Sequence, residues 1–297
     1  MAEIQDKVDF WPIRKVTTTD GFPLHGIFVS SLGAQRTLIH THGTGGNFFW
    51  NDFYPNIANA CHSSGVSFLA VNSRGSGIVE LEKGSPGAGI SLEIFEDCLK
   101  DIDAWIEFAI SQGSKSVVLE GHSFGIGKVT YYMTKGKYRE LVEKVIFLGT
   151  NGVYQTQQHY LNKLGIPPEQ YLEEAKGFLS KGEGTALLRD PFALAGYYPA
   201  SARTYINFFT PGSELFRSTQ MARETEGGYR QTIKVPLLWI LGDQLEKEYL
   251  FAPFKEAFAL VRAENPQVEI HQLPCDHGLH GQENETASII EGFIKRN

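Results

Sequence analysis

The sequence predicts an α/β protein with a mostly parallel, eight-stranded sheet, helices on both faces and a helical cap insertion. Three observations carry this. Short apolar runs of strand type alternate with helix-compatible segments at the spacing of βαβ units. Runs such as Val66 to Val71 and Lys144 to Leu148 are nearly continuously apolar, as strands buried on both faces are. The alternation then lapses between residues 152 and 230, which are dense in Tyr, Phe, Gly and Pro, and resumes afterwards. Residues 1–151 and 231–297 are therefore read as the core, and 152–230 as a cap or lid inserted into it.

Arg14 to Thr18 and Leu24 to Ser30, joined around the turn pair Asp20-Gly21, form the first two strands and read as an antiparallel pair. Arg36 to His40 is a third strand, and it runs into the glycine-rich His42-Gly43-Thr44-Gly45-Gly46. Tyr54 to Ser64 has helical spacing, Val66 to Val71 is a strand, and Asn72-Ser73-Arg74-Gly75-Ser76-Gly77 closes it as a loop. A long amphipathic helix is expected from about Leu92 to Ser111, ended by Gly113. The strand Val117 to Gly121 follows, then a helix around Lys128 to Met133 and the strand Lys144 to Leu148. Beyond the insertion come a strand at Pro236 to Leu241, a helix at Phe254 to Arg262, a strand at Val268 to Leu273 and a terminal helix at Glu285 to Lys295.

Composition narrows the function. The 297 residues are 42% hydrophobic and 21% charged with a net charge of -7, which gives no reason to expect a nucleic acid or an anionic membrane as partner. Cys61, Cys98 and Cys275 are an odd, widely spaced set without metal-ligand spacing, so a disulfide framework is not expected and a reducing compartment is favoured. The N-terminus lacks the basic start and apolar run of a signal peptide, and no apolar stretch reaches the roughly 18 residues of a membrane span. A soluble, cytoplasmic protein is the expectation.

The chemistry is concentrated at Gly121-His122-Ser123-Phe124-Gly125, a Gly-x-Ser-x-Gly pattern between a strand and a helix. A serine on such a turn is presented as a nucleophile, and the helix N-terminus places free amides and a positive dipole end where negative charge develops. A serine hydroxyl also needs a base, a group that orients the base, and donors for the oxyanion. His277, in Pro274-Cys275-Asp276-His277-Gly278 after the last strand, is the candidate base, with His280 as runner-up. Asp276 is too close in sequence to reach the far imidazole nitrogen, and is read as a loop-stabilising residue. The amides of Thr44 and Phe124 are the candidate oxyanion donors. The glycine loop lacks the Gly-Lys-Ser/Thr ending of a phosphate-binding loop, and His40 and His42 have no acid or cysteine at ligand spacing, so no metal is expected.

These residues resemble the α/β-hydrolase superfamily over nearly the whole chain. The resemblance rests on His42-Gly43, the loop Asn72 to Gly77 where many members have Asp-x-Arg-Gly-x-Gly, the elbow Gly121 to Gly125, and His277, all in the family order. Within the superfamily the chain is most similar to serine esterases and peptidase-like hydrolases with a cap between the sixth and seventh core strands. The resemblance implies a catalytic triad, an acyl-enzyme and no cofactor. The expected function is hydrolysis of an ester, thioester or lactone of a small, apolar or aromatic molecule. An acyltransferase or cyclase using the same machinery is the alternative, and a non-catalytic ligand receptor a further one. The acid departs from the family pattern. Members commonly place it three residues after the glycine ending the preceding strand, but after Gly242 that position is Leu245. Asp243, at the strand's carboxyl end, is favoured as the triad acid; Glu246, four residues after the glycine, has the reach to replace it.

Overall fold

A computed structural model describes residues 12–81, 87–219, 228–244 and 254–296. Its sheet is formed by β1 (Ile13–Thr17), β2 (Pro23–Val29), β3 (Arg36–Thr41), β4 (Ser67–Val71), β5 (Ser116–His122), β6 (Val142–Leu148), β7 (Leu237–Gly242) and β8 (Val268–Leu273). The strand order is β1-β2-β4-β3-β5-β6-β7-β8. The pairs β1/β2 and β2/β4 are antiparallel and the other five parallel. Chain order reverses around β3: β4 lies on one side of it and β5 on the other. The loops leaving the carboxyl ends of β3 and β5 therefore flank a crevice of the kind in which open α/β sheets bind ligands.

Successive side chains along each strand supply opposite faces, so each central strand stocks two cores. Ile39, Leu119, Val145 and Trp239 face α2 (Cys98–Ser111), α3 (Phe124–Lys135) and α8 (Phe254–Glu264), where Trp105, Ile126, Val129 and Val261 are buried. Their neighbours Leu38, Val118, Ile146 and Leu238 face α1 (Tyr54–Ser63) and α9 (Glu283–Lys295), against Ile57, Ile290 and Phe293. Each such large apolar side chain contributes about 1.5–3 kcal/mol by leaving water.

The helix expected from Leu92 starts later. Two short 3₁₀ turns, Ile90–Leu92 and Phe95–Asp97, precede α2. The backbone there bonds elsewhere: Phe95 N–H donates to Asn207 Oδ1 at 2.8 Å, and Leu92 C=O accepts from Arg203 at 3.1 Å. Conversely, α3 starts at Phe124, immediately after the serine, rather than near Lys128.

Between β6 and β7 lie α4 (Val153–Leu164), α5 (Pro168–Leu179), α6 (Ala202–Phe209) and α7 (Glu214–Thr219). They share an apolar core of their own, including Leu161, Tyr171, Tyr205, Phe208 and Leu215, which continues into Phe95, Phe124 and Tyr131 beneath. The segment between α5 and α6 is not helical. It is pinned by β-bridges Leu187↔Ser201 and Leu194↔Tyr198, and by Asp190, whose carboxylate accepts from Tyr160 Oη at 2.8 Å and Tyr171 Oη at 2.5 Å. No helix among the described residues is long and apolar enough to cross a membrane. The three cysteines are buried and form no disulfide.

Candidate active site

Ser123 sits between β5 and α3 at φ 52° and ψ -121°, a backbone conformation that costs a non-glycine residue of order 1–3 kcal/mol and persists only where the surroundings enforce it. Two glycines make the turn. A Cβ on Gly125 would lie 2.2 Å from the Thr41 carbonyl oxygen, and one on Gly121 would lie 2.5 Å from the Gly125 backbone. The elbow is held to the next strand by Ser123 N–H donating to Leu148 C=O at 3.0 Å.

His277 is brought to the serine, with Nε2 2.8 Å from Ser123 Oγ. The loop carrying it is fixed from three sides. Asp276 Oδ1 accepts from the amides of Gly278 at 3.0 Å and His280 at 3.2 Å, so Asp276 does act on the loop. His122 Nε2–H donates to His277 C=O at 3.0 Å. Beyond β7, Asp243 N–H donates to Leu273 C=O at 2.9 Å and Gln244 N–H to Cys275 C=O at 3.0 Å. Gly242 permits that approach, since a Cβ there would lie 2.3 Å from Cys275 O. His280 is engaged by Asp276, its Nδ1 2.7 Å from Asp276 Oδ2, and that hydrogen bond holds the imidazole pKa above its ordinary value.

Asp243 is not brought to His277. It is exposed, and among the described residues no hydrogen bond joins its carboxylate to His277. Its amide is committed to Leu273 at the end of β8, just before the loop that carries His277. Glu246, the other acid read from the sequence, and Leu245 lie outside the described residues.

The oxyanion candidates are both available. Among the described residues no group accepts from the amide of Thr44 or of Phe124. Gly43 brings the first of these loops onto Ser123: a Cβ on it would lie 2.9 Å from Ser123 Cβ. Thr44, Ser123 and His277 line one cavity of about 400 Å³ with Trp50, Asn51, Asn151, Tyr197, Tyr198 and His280. Trp50 and Tyr197, 67% and 55% exposed, form its rim, whereas Asn151 is buried beside it with both amide atoms unpartnered among the described residues. No group of three or more His, Cys, Asp or Glu side chains placed to hold a metal occurs among the described residues.

His40 and His42 do other work. His40 Nδ1 lies 2.6 Å from Glu120 Oε1 with both side chains out of contact with water. Burial pushes the imidazole pKa down and the carboxyl pKa up, so the neutral forms are favoured on both sides of this contact. His42 Nδ1–H donates to Gly43 C=O at 2.7 Å, and its Nε2 accepts from Ser76 Oγ at 2.7 Å. Asn72, which stands where many α/β-hydrolases have aspartate, takes part in loop bonding: its Oδ1 accepts from Phe48 N–H at 3.1 Å. Sequence reading passed over His122, Ser76 and Asn151. Only His122 carried a signal, its place inside the elbow; the others act through contacts that loops bring together.

No family model matches the chain, and no curated protein matches it in sequence. Solved structures do match. An esterase of Pyrococcus furiosus is 18% identical over 96% of this chain and 90% of its own, with a TM-score of 0.57. A monoglyceride lipase of Saccharomyces cerevisiae, solved with a substrate analogue, is 13% identical over 99% and 98%, with a TM-score of 0.61. A protein described as having the alpha/beta hydrolase fold is 16% identical over 92% and 90%, also with a TM-score of 0.61. The chain has the α/β-hydrolase fold.

Proposed function

We propose that the protein is a serine hydrolase acting on an ester, thioester or lactone of a small molecule. The observation that carries this is the 2.8 Å contact between Ser123 Oγ and His277 Nε2, made on a strained turn near two amides that no group among the described residues accepts from. The esterase and lipase among the structural neighbours support the same chemistry.

In this reading His277 takes the proton of Ser123 as Oγ attacks the carbonyl carbon. The amides of Thr44 and Phe124 hold the oxyanion, and His277 returns the proton to the leaving oxygen or sulfur. Water, activated by the same imidazole, then cleaves the acyl-enzyme. The orienting acid is assigned to Glu246, since Asp243 is turned to solvent and Glu246 is the remaining acid read for that role. Helices α4 to α7 act as a cap that shapes the cavity. Hydrolysis is favoured over transfer to another nucleophile because the cavity mouth is lined by exposed Trp50, Tyr197 and His280, which leaves water a path to the acyl-enzyme. A cavity of about 400 Å³ fits a small acyl or alcohol group.

The test is turnover of p-nitrophenyl esters of graded chain length by the purified protein and by Ser123→Ala. Loss of roughly 10³-fold or more in kcat with the fold intact is expected. Hydrolysis by Ser123→Ala at near the wild-type rate would refute the assignment.

A further inference from the structure

The carboxyl half of the elbow holds a buried cation that the mechanism above does not use. Lys128, on α3, is 1% exposed. Its Nζ lies 2.6 Å from Glu93 Oε1 and donates to Ser73 Oγ at 3.0 Å. The seat of Glu93 is made by Gly75, where a Cβ would fall 2.0 Å from Glu93 Oε2. Burying such a pair carries a desolvation cost that its own attraction often fails to recover, and well-packed apolar residues are often as stabilising, so stability alone gives little reason for it here.

What surrounds Lys128 gives a reason. Ser73 Oγ lies 3.2 Å from His42 Nε2, which also accepts from Ser73 N–H at 3.2 Å and from Ser76 Oγ at 2.7 Å. His42 Nδ1 lies 2.7 Å from Gly43 C=O. A carbonyl oxygen only accepts, so Nδ1 carries the proton and Nε2 is the acceptor, a single tautomer consistent with every neighbour. Burial, reinforced by the charge of Lys128, keeps this imidazole neutral. The direction of donation is therefore fixed at His42 and Gly43, and the single Nε2 lone pair is shared between Ser76 Oγ at 2.7 Å and, more weakly, Ser73 at 3.2 Å, through which Lys128 reaches the imidazole. The Gly43 carbonyl accepts a second bond, from Gly46 N–H at 3.1 Å. A trans peptide is planar with its C=O and N–H pointing opposite ways, so pinning the Gly43 oxygen on one side aims the Thr44 N–H to the other. Hydrogen bonds in series also polarise one another, making that N–H a stronger donor. Lys128 reaches the second donor as well: its Nζ sits 5.0 Å from the ring centroid of Phe124, one helical turn earlier.

We infer that Lys128 is a positioning residue for the oxyanion hole, acting on Thr44 through Ser73, His42 and the Gly43 carbonyl and on Phe124 through its ring. Its catalytic consequence rests on the serine hydrolase reading. The charge it supplies is buried and paired with Glu93. It touches no substrate atom. Its effect is on the tetrahedral state, where the oxygen becomes an anion, and not on the bound ester.

The experiment compares wild type with Ser73→Ala, which cuts the chain but keeps the ion pair, and with the double variant Lys128→Met/Glu93→Gln, which removes both charges together. With p-nitrophenyl butanoate as probe, kcat falls about 10-fold in Ser73→Ala and about 10- to 100-fold in the double variant, less than the loss of a whole oxyanion donor, while KM stays within about twofold. Inhibition by an alkyl trifluoromethyl ketone, which forms the tetrahedral adduct, weakens by the same factor as kcat. Binding of the matching methyl ketone does not change. Unchanged kcat in folded Ser73→Ala overturns the inference. So does equal weakening of both ketones, which marks simple damage to the pocket. If wild type neither hydrolyses the ester nor binds the trifluoromethyl ketone covalently, the hydrolase reading has failed. The relay is then read by ¹⁵N NMR of the His42 ring. A protonated Nδ1, with an Nε2 shift that moves in Ser73→Ala, supports it, and a protonated Nε2 or an unmoved shift overturns it.

Discussion

At Asp243 the side chain faces water while the amide bonds Leu273 C=O, so the residue contributes through its backbone. Asp243→Asn keeps that amide and is expected to leave kcat within about threefold, whereas loss of a true orienting acid costs on the order of 10⁴ by leaving the base in the wrong tautomer. Glu246→Gln, measured beside it at pH 8, is expected to show that larger loss; a crippled Asp243→Asn enzyme would return the role to Asp243. His42 has a consequence for stability. Its folded-state pKa is pushed down to about 3 by burial, against 6.5 unperturbed. Between those values the unfolded chain takes up a proton that the folded protein refuses. The stability associated with neutral His42 is therefore complete above pH 6.5 and is lost as pH falls toward 3, at up to about 1.4 kcal/mol per pH unit. Denaturant titrations at pH 6.5, 5.5 and 4.5 are expected to show a shallower decline in His42→Gln than in wild type. An identical slope would mean that His42 titrates in the folded protein.

Elements differ in how far their sequence reveals them. The strands and the helices facing them were legible because Leu38 and Ile39, or Leu238 and Trp239, stock opposite faces of one sheet and leave near-continuous apolar runs. The start of α2 was not, because an amphipathic pattern does not record that Phe95 N–H and Leu92 C=O are bonded to Asn207 and Arg203, more than a hundred residues later in the chain. Glycine was half legible. Gly125 and Gly177 both stand in helices, but a Cβ on Gly125 would strike Thr41 O at 2.2 Å while one on Gly177 would meet nothing within 4 Å. Alanine is thus expected to destabilise by at least about 2 kcal/mol at position 125, through overpacking against a rigid strand end. At position 177 it is expected to stabilise by about 0.5–1 kcal/mol, through helix propensity and unfolded-state entropy. Chemical denaturation of the two variants checks the opposite signs, and equal effects would place the elbow further from β3 than described.

Over the whole molecule, the candidate residues follow the carboxyl ends of β3, β5 and β8, and segments between β6 and β7 line the same cavity. The meeting of Ser123 and His277 was legible because each ends a strand-loop signature, and the proposed oxyanion loop was named because its glycines follow a strand. The linkage of Lys128, Ser73 and His42 was not, since it joins three segments that are adjacent only in the folded chain. The aromatic residues of 152–230 divide in the same way. Tyr198 lines the cavity, whereas Tyr154 and Phe209 pack on one another with ring centroids 6.2 Å apart. Tyr198→Ala is accordingly expected to reorder preference across an ester panel with little loss of stability. Phe209→Ala is expected to lower stability by about 3–5 kcal/mol. Unchanged substrate ranking in Tyr198→Ala would remove the cap from specificity. The central claim, that Ser123 is an activated nucleophile, is tested most directly by a fluorophosphonate reagent followed by peptide mass spectrometry. The account predicts one covalent adduct per chain, located on Ser123, absent from Ser123→Ala and slowed by orders of magnitude in His277→Ala. An unlabelled Ser123 in folded protein, or an adduct carried by another residue, would contradict it.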